Sequence, residues 1–398
     1  MQNRTWVSLV GGFTSRIINI PSIIVAVLTI AYTYNYFTQE FSPTGDFYHY
    51  QSFVEALARG TLDLSIPGFH GVDIFALPYY LLTRSPTAVM NVNGFIAIFL
   101  PLTGYLTGKS LYGKWGGVLL SCIVASMPFV TFSYLLGFTN STYILFVLLT
   151  ILLAHRKEAW MPWGISMITK PFSVCLLPFL LSRGMRRQHL VYGLLIPAIY
   201  AGIQYMQLGT LSLGVHTEMD AGNFFRGFGH MLKNIHVAAH GIFSVHDFKA
   251  WNPAGTGMQN MLHTSPIFVV LGLLAWTEKH GIPLILSGIF GILLNTILPS
   301  IDFFYLDTGV LLLTIAAIPI LLRHPLLLPI IVITLNFQWW YFERFSDLRM
   351  NPSVTNAVFN TSYIFDVLVI LWLIIYLFHN KRYVRIIHAI YKSIAPQS

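Results

Sequence analysis

"AWMPWGISMITKPFSVCLLPFLL", residues 159–181, decides how this chain folds because of what stands on either side of it. "HRKE" (155–158) precedes it and "SRGMRR" (182–187) follows it. Basic residues flanking apolar segments collect on the cytoplasmic face of a membrane. A single crossing would put one of these clusters outside. A hairpin of two short helices turning at Thr169, Lys170 and Pro171 keeps both inside. Each arm of about eleven residues reaches about 16 Å at 1.5 Å per residue, so the turn stands near mid-membrane unless its neighbours let it rise. Residues 159–182 are therefore read as a re-entrant or short helical hairpin with Lys170 on protein-lined backbone at its tip. A charge at that depth costs ~2.5 to 3.5 kcal/mol on the insertion scale, which makes function the default reading for Lys170. The blander alternative is that it snorkels or pairs with a structural acid.

The rest of the chain supplies the setting that this hairpin needs. Hydrophobic residues make up 55% and charged residues 10% of the 398, and the mean hydropathy is +0.65. Ordinary soluble domains carry roughly 25% charge, so the composition excludes them. Spans are expected at Ile17 to Phe37, Ala88 to Gly108, Trp115 to Ser133, Leu190 to Gln207, Ile282 to Leu298 and Tyr363 to Phe378. The fold class is an all-α polytopic membrane protein, one transmembrane domain over 1–398 with about 10–12 transmembrane or re-entrant helices. The first span is long and lacks a small-residue cleavage pattern, so it does not read as a cleaved signal. Cys122 and Cys175 both lie in apolar runs, which offers neither a disulfide framework nor a zinc site. The net charge of +8 is scattered between spans and forms no stripe, so the bilayer and not a nucleic acid is the expected partner.

Placing the N-terminus inside and alternating the spans puts fifteen of the 23 Lys and Arg residues on the cytoplasmic side, with a basic tail at 380–398. Only Glu158 and Glu278 of the 15 acids fall there. The outer face is therefore the acidic one. It is built from a first loop at 38–87, a large loop at 208–263, a stretch at 342–362 and the short "SIDFFYLD" at 300–307.

Within the first loop, "TGDFYHYQSFVEALARG" (44–60) spaces Phe47, Tyr50, Phe53, Val54 and Leu57 as a helix, with Arg59 in the last turn and Gly60 as C-cap. It reads as an interfacial helix along the outer leaflet. Asp46 stands at its start. There it can be an N-cap, which would lower its pKa, or a general base in an aromatic-lined cleft with Tyr48, His49 and Tyr50; the residues alone leave both open. Asp73, behind His70 and Gly71, is a second active-site carboxylate or a helix cap. Asp302 and Tyr305 alternate acid and ring in the way that suits sugars, and membrane-interface belts use the same aromatics. Arg226, Arg344 and Arg349 are phosphate forks or head-group contacts. His236 and His240 have metal-ligand spacing without a third ligand, so no metal is assigned and a divalent ion has no ligand motif. No GxSxG, P-loop or CxxC is present.

The acid in "TGDFYHYQSFVEALARG" directly after the first span, and the Lys-Pro turn in "GISMITKPFSVCLLPFLL" between two basic clusters, together resemble the GT-C superfamily of polytopic glycosyltransferases. The resemblance covers about the first half of the chain and is carried by Gly45, Asp46, Tyr50, Gly60, Lys170 and Pro171. It implies transfer of a sugar from a polyprenyl-phosphate or polyprenyl-diphosphate donor to a glycan, lipid or protein acceptor on the external or periplasmic side. Asp46 would be the base or orient the acceptor. Asp73 would be a helper acid, Lys170 with Arg226 or Arg344 the phosphate clamp, and Tyr48, His49, Tyr50, Asp302 and Tyr305 would line the sugar site. Asp46 is followed by Phe47 and not by a second acid, so the family's metal-binding pattern is missing and no cofactor is expected. Low cysteine content and compact size point to a bacterial inner membrane, while the sequons at Asn140 and Asn360 would also suit a eukaryotic lumenal setting. A lipid-linked saccharide transporter and a polysaccharide polymerase are the rival readings.

Overall fold

The computed structural model describes residues 20–38, 45–66, 70–127, 130, 133–209, 211–214, 217–219, 266–296, 303–329 and 331. In chain order the α-helices are α1 (Ile20–Thr38), α2 (Gly45–Ala58), α3 (Asp73–Thr83), α4 (Ala88–Ala97), α5 (Leu100–Ser126), α6 (Asn140–Leu153), α7 (Trp160–Thr169), α8 (Leu177–Ser182), α9 (Arg187–Leu208), α10 (Pro266–Leu274), α11 (Gly281–Thr296) and α12 (Phe303–Arg323). A 3-10 turn, Pro171–Leu176, joins α7 to α8. Among the described residues the architecture is helical apart from one short antiparallel ladder, β1 (Leu211–Gly214) with β2 (Thr217–Met219). Gly209, left-handed at φ 68°, closes α9 just before it.

Three stretches among the described residues are long and apolar enough to cross a membrane: Ile20–Thr38, Ala88–Ser126 and Arg187–Leu208. The middle one is bent back on itself. Gly113 sits at φ 82°, ψ −178° inside α5, a conformation that side chains of L-residues resist. The two arms then pack through small residues. A Cβ on Gly104 would meet Ser121, one on Gly108 would meet Gly116, and Ser121 Oγ donates to the Pro101 carbonyl at 2.7 Å. Close backbone approach through small residues is how helices associate where lipid supplies no hydrophobic driving force. Tyr32 Oη donates to the Ala125 carbonyl and ties α1 to the far arm.

The molecule has two chemically different ends, and α9 measures the distance between them. Its 22 residues rise about 33 Å, close to the ~30 Å hydrocarbon core. At its start, Arg186 and His189 line one cavity with Arg156 and Lys157, so both flanks of the 159–181 segment meet at the same end. At its finish, Gln207 Oε1 accepts from Leu64 N at 2.9 Å and its Nε2 donates to Leu62 O at 2.8 Å, which fixes the first loop to the opposite end. Between them α9 exposes Val191, Tyr192, Leu194, Leu195, Ile199 and Tyr205, a surface that suits lipid and not water. The basic end is held by further contacts. Arg183 Nη1 lies 3.3 Å from His280 Nε2, and Arg323 pairs with Glu278. Burial, then Arg183 and Lys279, push the His280 imidazole down to about 4.

One expectation about the first loop changes in sense. The stripe expected to lie on the outer leaflet, Phe47, Phe53 and Val54, is 2% exposed or less and packs on protein, chiefly α3 and α4. Exposed apolar surface in the first loop comes largely from α3, through Ile74, Phe75, Leu81 and Leu82. The 208–263 loop beyond β2, the spans and loops after 331, the 380–398 tail, and Asn360 lie outside the described residues. Asn140 is within them and is 1% exposed, so folding buries that sequon and removes it as a glycan acceptor.

The bend predicts a simple outcome. Replacing Gly113 by Val forces a β-branched residue into a left-handed region with no atoms nearby to blame, at a cost of about 1 to 3 kcal/mol. Thermal melting in detergent should show that loss, while Gly202→Ala, on a helix with open space around it, should not.

Candidate functional site

The site is built on a helix that stops early. Pro171 disfavours helical geometry at the residue before it, and Lys170 is extended at φ −152°, ψ 121°. A stopped helix leaves its last carbonyls without intrahelical partners. Here Ser166 O accepts from Lys170 N at 2.8 Å, and Ile168 O accepts from Gly71 N at 3.1 Å. The second bond comes from the first loop. Only glycine permits it, since a Cβ on residue 71 would stand 2.8 Å from the Ile168 carbonyl carbon and oxygen.

Past Lys170 the chain returns along α7. Trp163 Nε1 donates to Ser173 O at 2.9 Å, and Ser166 Oγ donates to Ser173 Oγ at 2.8 Å. Residues ten apart in one continuous helix would be about 15 Å apart, so these bonds mark a reversal. At the reversal Lys170 is 7% exposed and its Nζ donates to Asn140 Oδ1 at the start of α6. It also lies 5.7 Å from the centre of the Tyr143 ring, whose face favours a cation. Tyr143 Oη accepts from Thr308 Oγ1 at 2.6 Å, which links α12 to the same spot.

In the first loop the structure pairs Asp73 with His70. His70 Nδ1 and Asp73 Oδ2 are 2.7 Å apart with both side chains fully buried, and His70 Nε2 lies 2.8 Å from Ile66 O. Both ring nitrogens thus face oxygens, and a carbonyl can only accept. The Nε2 proton is committed to Ile66, so the short contact at Nδ1 requires a second proton, carried by imidazolium or by the carboxyl group. Burial raises the Asp73 pKa to about 6, with the hydrogen bond and charge of His70 pulling the other way. The pair therefore stores one proton. His70 has no ring nitrogen left over, and within the pair the atom without a hydrogen-bond partner among the described residues is Asp73 Oδ1. Phe53 stacks on His70 at 3.9 Å and 8°, and Tyr50 meets it edge-on at 6.2 Å.

The expected site residues divide as follows. Asp73, Tyr50 and Lys170 belong to the assembly just described. His49 is half-buried, and Tyr48, 59% exposed, lies on the outer face of α2. Asp46 is the second residue of α2 and Tyr305 is in the first turn of α12, each placed by its backbone alone. Phe47, next to Asp46, lies against Gly137, left-handed at φ 86° and three residues before Asn140. The start of α2 thus packs against a residue three positions before the one that holds Lys170. Arg226, Arg344 and Asp302 lie outside the described residues, as do Arg349, His236 and His240. No group of three metal-ligating side chains gathers among the described residues. The parts that sequence reasoning left without a role are His70, Gly71 and Asn140. His-x-x-Asp before an apolar helix and the polar "TNST" (139–142) before α6 were the available signals.

Comparison of the chain with protein-family models, with curated proteins and with solved structures gives no match. What the fold defines is a membrane protein with a buried polar assembly in its interior, one helix length of about 15 Å from its basic face.

The stored proton has a stability signature. Asp73 has a folded pKa raised above 3.8, so its stabilising effect is complete below about pH 4 and is lost as pH rises through about 6. Melting temperature should fall as pH rises across that window. In Asp73→Asn, which keeps a donor toward Nδ1, this part of the pH dependence should vanish.

Proposed function

We propose that the protein is a membrane glycosyltransferase of GT-C type, using a polyprenyl-phosphate or polyprenyl-diphosphate sugar on the external face of a bacterial inner membrane. The observation that carries this reading is the Gly71–Ile168 bond, which sets the loop bearing Asp73 beside the hairpin tip bearing Lys170. An acid-bearing loop and a buried cation meeting in the interior, away from the basic face, match what such a transfer requires.

In this reading Asp46 takes the proton of the acceptor hydroxyl, which attacks the anomeric carbon. The anomeric C–O bond to phosphate breaks, its electron pair stays on the phosphate oxygen, and Lys170 stabilises that charge in a water-poor setting. Inversion follows from a single displacement and needs no second carboxylate as nucleophile. Asp73 holds the acceptor through Oδ1 while His70 fixes the carboxyl group. Tyr50 and His49 line the sugar site, with Tyr48, Asp302 and Tyr305 as further contacts. Arg226 and Arg344 complete the clamp. The lipid tail lies in a groove between helices, and the acceptor is a glycan, lipid or protein. No cofactor enters the mechanism.

A second reading has its own observation. A buried His–Asp pair that stores one proton is the kind of group proton-coupled carriers use, so a transporter of lipid-linked saccharide is the competing function. One set of assays separates them. Purified protein incubated with a panel of polyprenyl-phosphate sugars should release polyprenyl phosphate, and Asp46→Asn should lower the rate by about 10²-fold or more while the protein stays folded and donor-bound. Lys170→Ala should chiefly weaken donor binding. Full activity in Asp46→Asn rejects the base, unchanged donor affinity in Lys170→Ala rejects the clamp, and proton-dependent uptake into vesicles without sugar release supports the carrier.

A further inference from the structure

At the base of the hairpin, about 15 Å from Lys170 at its tip, the two flanks enclose a cavity of about 360 Å³. Arg156 and Lys157 come from one flank, Arg186 and Gln188 from the other, with His155 and His189 between them. No acid lines it, and among the described residues none of the three permanent cations there has an ion-pair partner. The one acid adjacent in sequence, Glu158, is exposed and not part of the lining. Gathering like charges raises self-repulsion, and an anion in the cavity would relieve it.

Helix α9 adds a second source of positive potential at the same place. Arg186 is its N-cap residue and makes no side-chain capping bond, so the start of a 22-residue helix, whose Gln188 and His189 line the cavity, stands beside it without a side-chain cap. Guanidinium groups and helix N-termini are the donors that recognise tetrahedral phosphate oxyanions. Directly beyond the cavity the surface turns apolar and aromatic. Trp160 and Tyr192 meet edge-on at 6.0 Å, Tyr192 lies 6.2 Å from His189, and Leu181, Val191 and Leu195 are exposed. That order of basic cavity, aromatic girdle and apolar helix face is the order of head group, interface and acyl chain in a leaflet.

We infer that this cavity is an anion site that takes a phosphate group, carried either by an anionic phospholipid head group with its chains along α9 or by a soluble phosphate. The site is distinct from the donor site proposed above, since the length of α7, about 15 Å, separates its lining from Lys170, and it stands whether or not the chain is a glycosyltransferase.

The test uses the full chain in detergent, freed of co-purified lipid, and follows thermal stability during titration with phosphatidylglycerol, with net-neutral phosphatidylcholine and with inorganic phosphate. Phosphatidylglycerol should stabilise saturably and phosphatidylcholine should not. Each cation at an anionic surface is worth about a factor of five, so Arg156→Gln combined with Arg186→Gln should shift the midpoint about 25-fold. Lys114→Gln, an exposed lysine on the Gly113 bend outside the cavity, should leave it in place. Stabilisation by phosphatidylglycerol alone identifies a lipid head group, and stabilisation by inorganic phosphate as well identifies a soluble phosphate as sufficient. Wild type that treats phosphatidylglycerol as it treats phosphatidylcholine and ignores phosphate overturns the proposal. So does a folded double variant that titrates like wild type. Should the double variant not fold, Lys157→Gln, expected to shift the midpoint about fivefold, replaces it and is read in the same way.

Discussion

A helix that ends inside a membrane protein must find partners for carbonyls that water cannot reach. In this chain the carbonyl of Ile168 finds one in the N–H of Gly71, a residue almost a hundred positions earlier. The bond does more than satisfy an acceptor. It holds the first loop on the tip of a hairpin, and so places the His70–Asp73 pair and Lys170 on neighbouring pieces of one assembly. Gly71 is constrained because the two backbones touch, and the Lys170–Pro171 pair is constrained because it stops the helix where the touch occurs.

Charge and length then give the assembly its sidedness. The arms of the hairpin return to a basic end where Arg156, Lys157 and Arg186 surround one cavity, while α9 carries the chain about 33 Å to the end where Gln207 grips Leu62 and Leu64. Each end keeps its own chemistry. At the basic end the cations cluster and Arg183 meets a neutral His280, and in the interior a carboxyl group is buried against an imidazole. A buried Asp–His pair of this kind costs desolvation and returns order, which is a reason to look for function beside it.

The parts of this arrangement that were legible in the sequence were those written in charge and in local conformation. Two basic flanks and a Lys-Pro step specify a reversal at Lys170, and Arg59-Gly60 ends α2 where Gly60 is left-handed at φ 81°. The break expected between the spans Ala88 to Gly108 and Trp115 to Ser133 is likewise present, and the bend falls at Gly113. Periodicity, by contrast, tells which residues share a face and not what the face meets. Phe47, Phe53 and Val54 were rightly grouped, yet they press on protein while α3 presents apolar residues outward. The Gly71–Ile168 contact joins two backbones and leaves no side-chain signature. Asn140 read as a surface sequon because nothing local says that a lysine thirty residues later will take its amide oxygen.

The central claim is that residues 159–181 enter and leave by the same face, with the first loop meeting their tip from the other. Labelling of single cysteines with a membrane-impermeant maleimide in sealed vesicles of known orientation measures this directly, since Cys122 and Cys175 are buried. Glu158→Cys and Ser182→Cys should react from the same side, and Ser65→Cys only from the opposite side. Reaction of positions 158 and 182 from opposite sides would make the segment a single crossing and contradict the account.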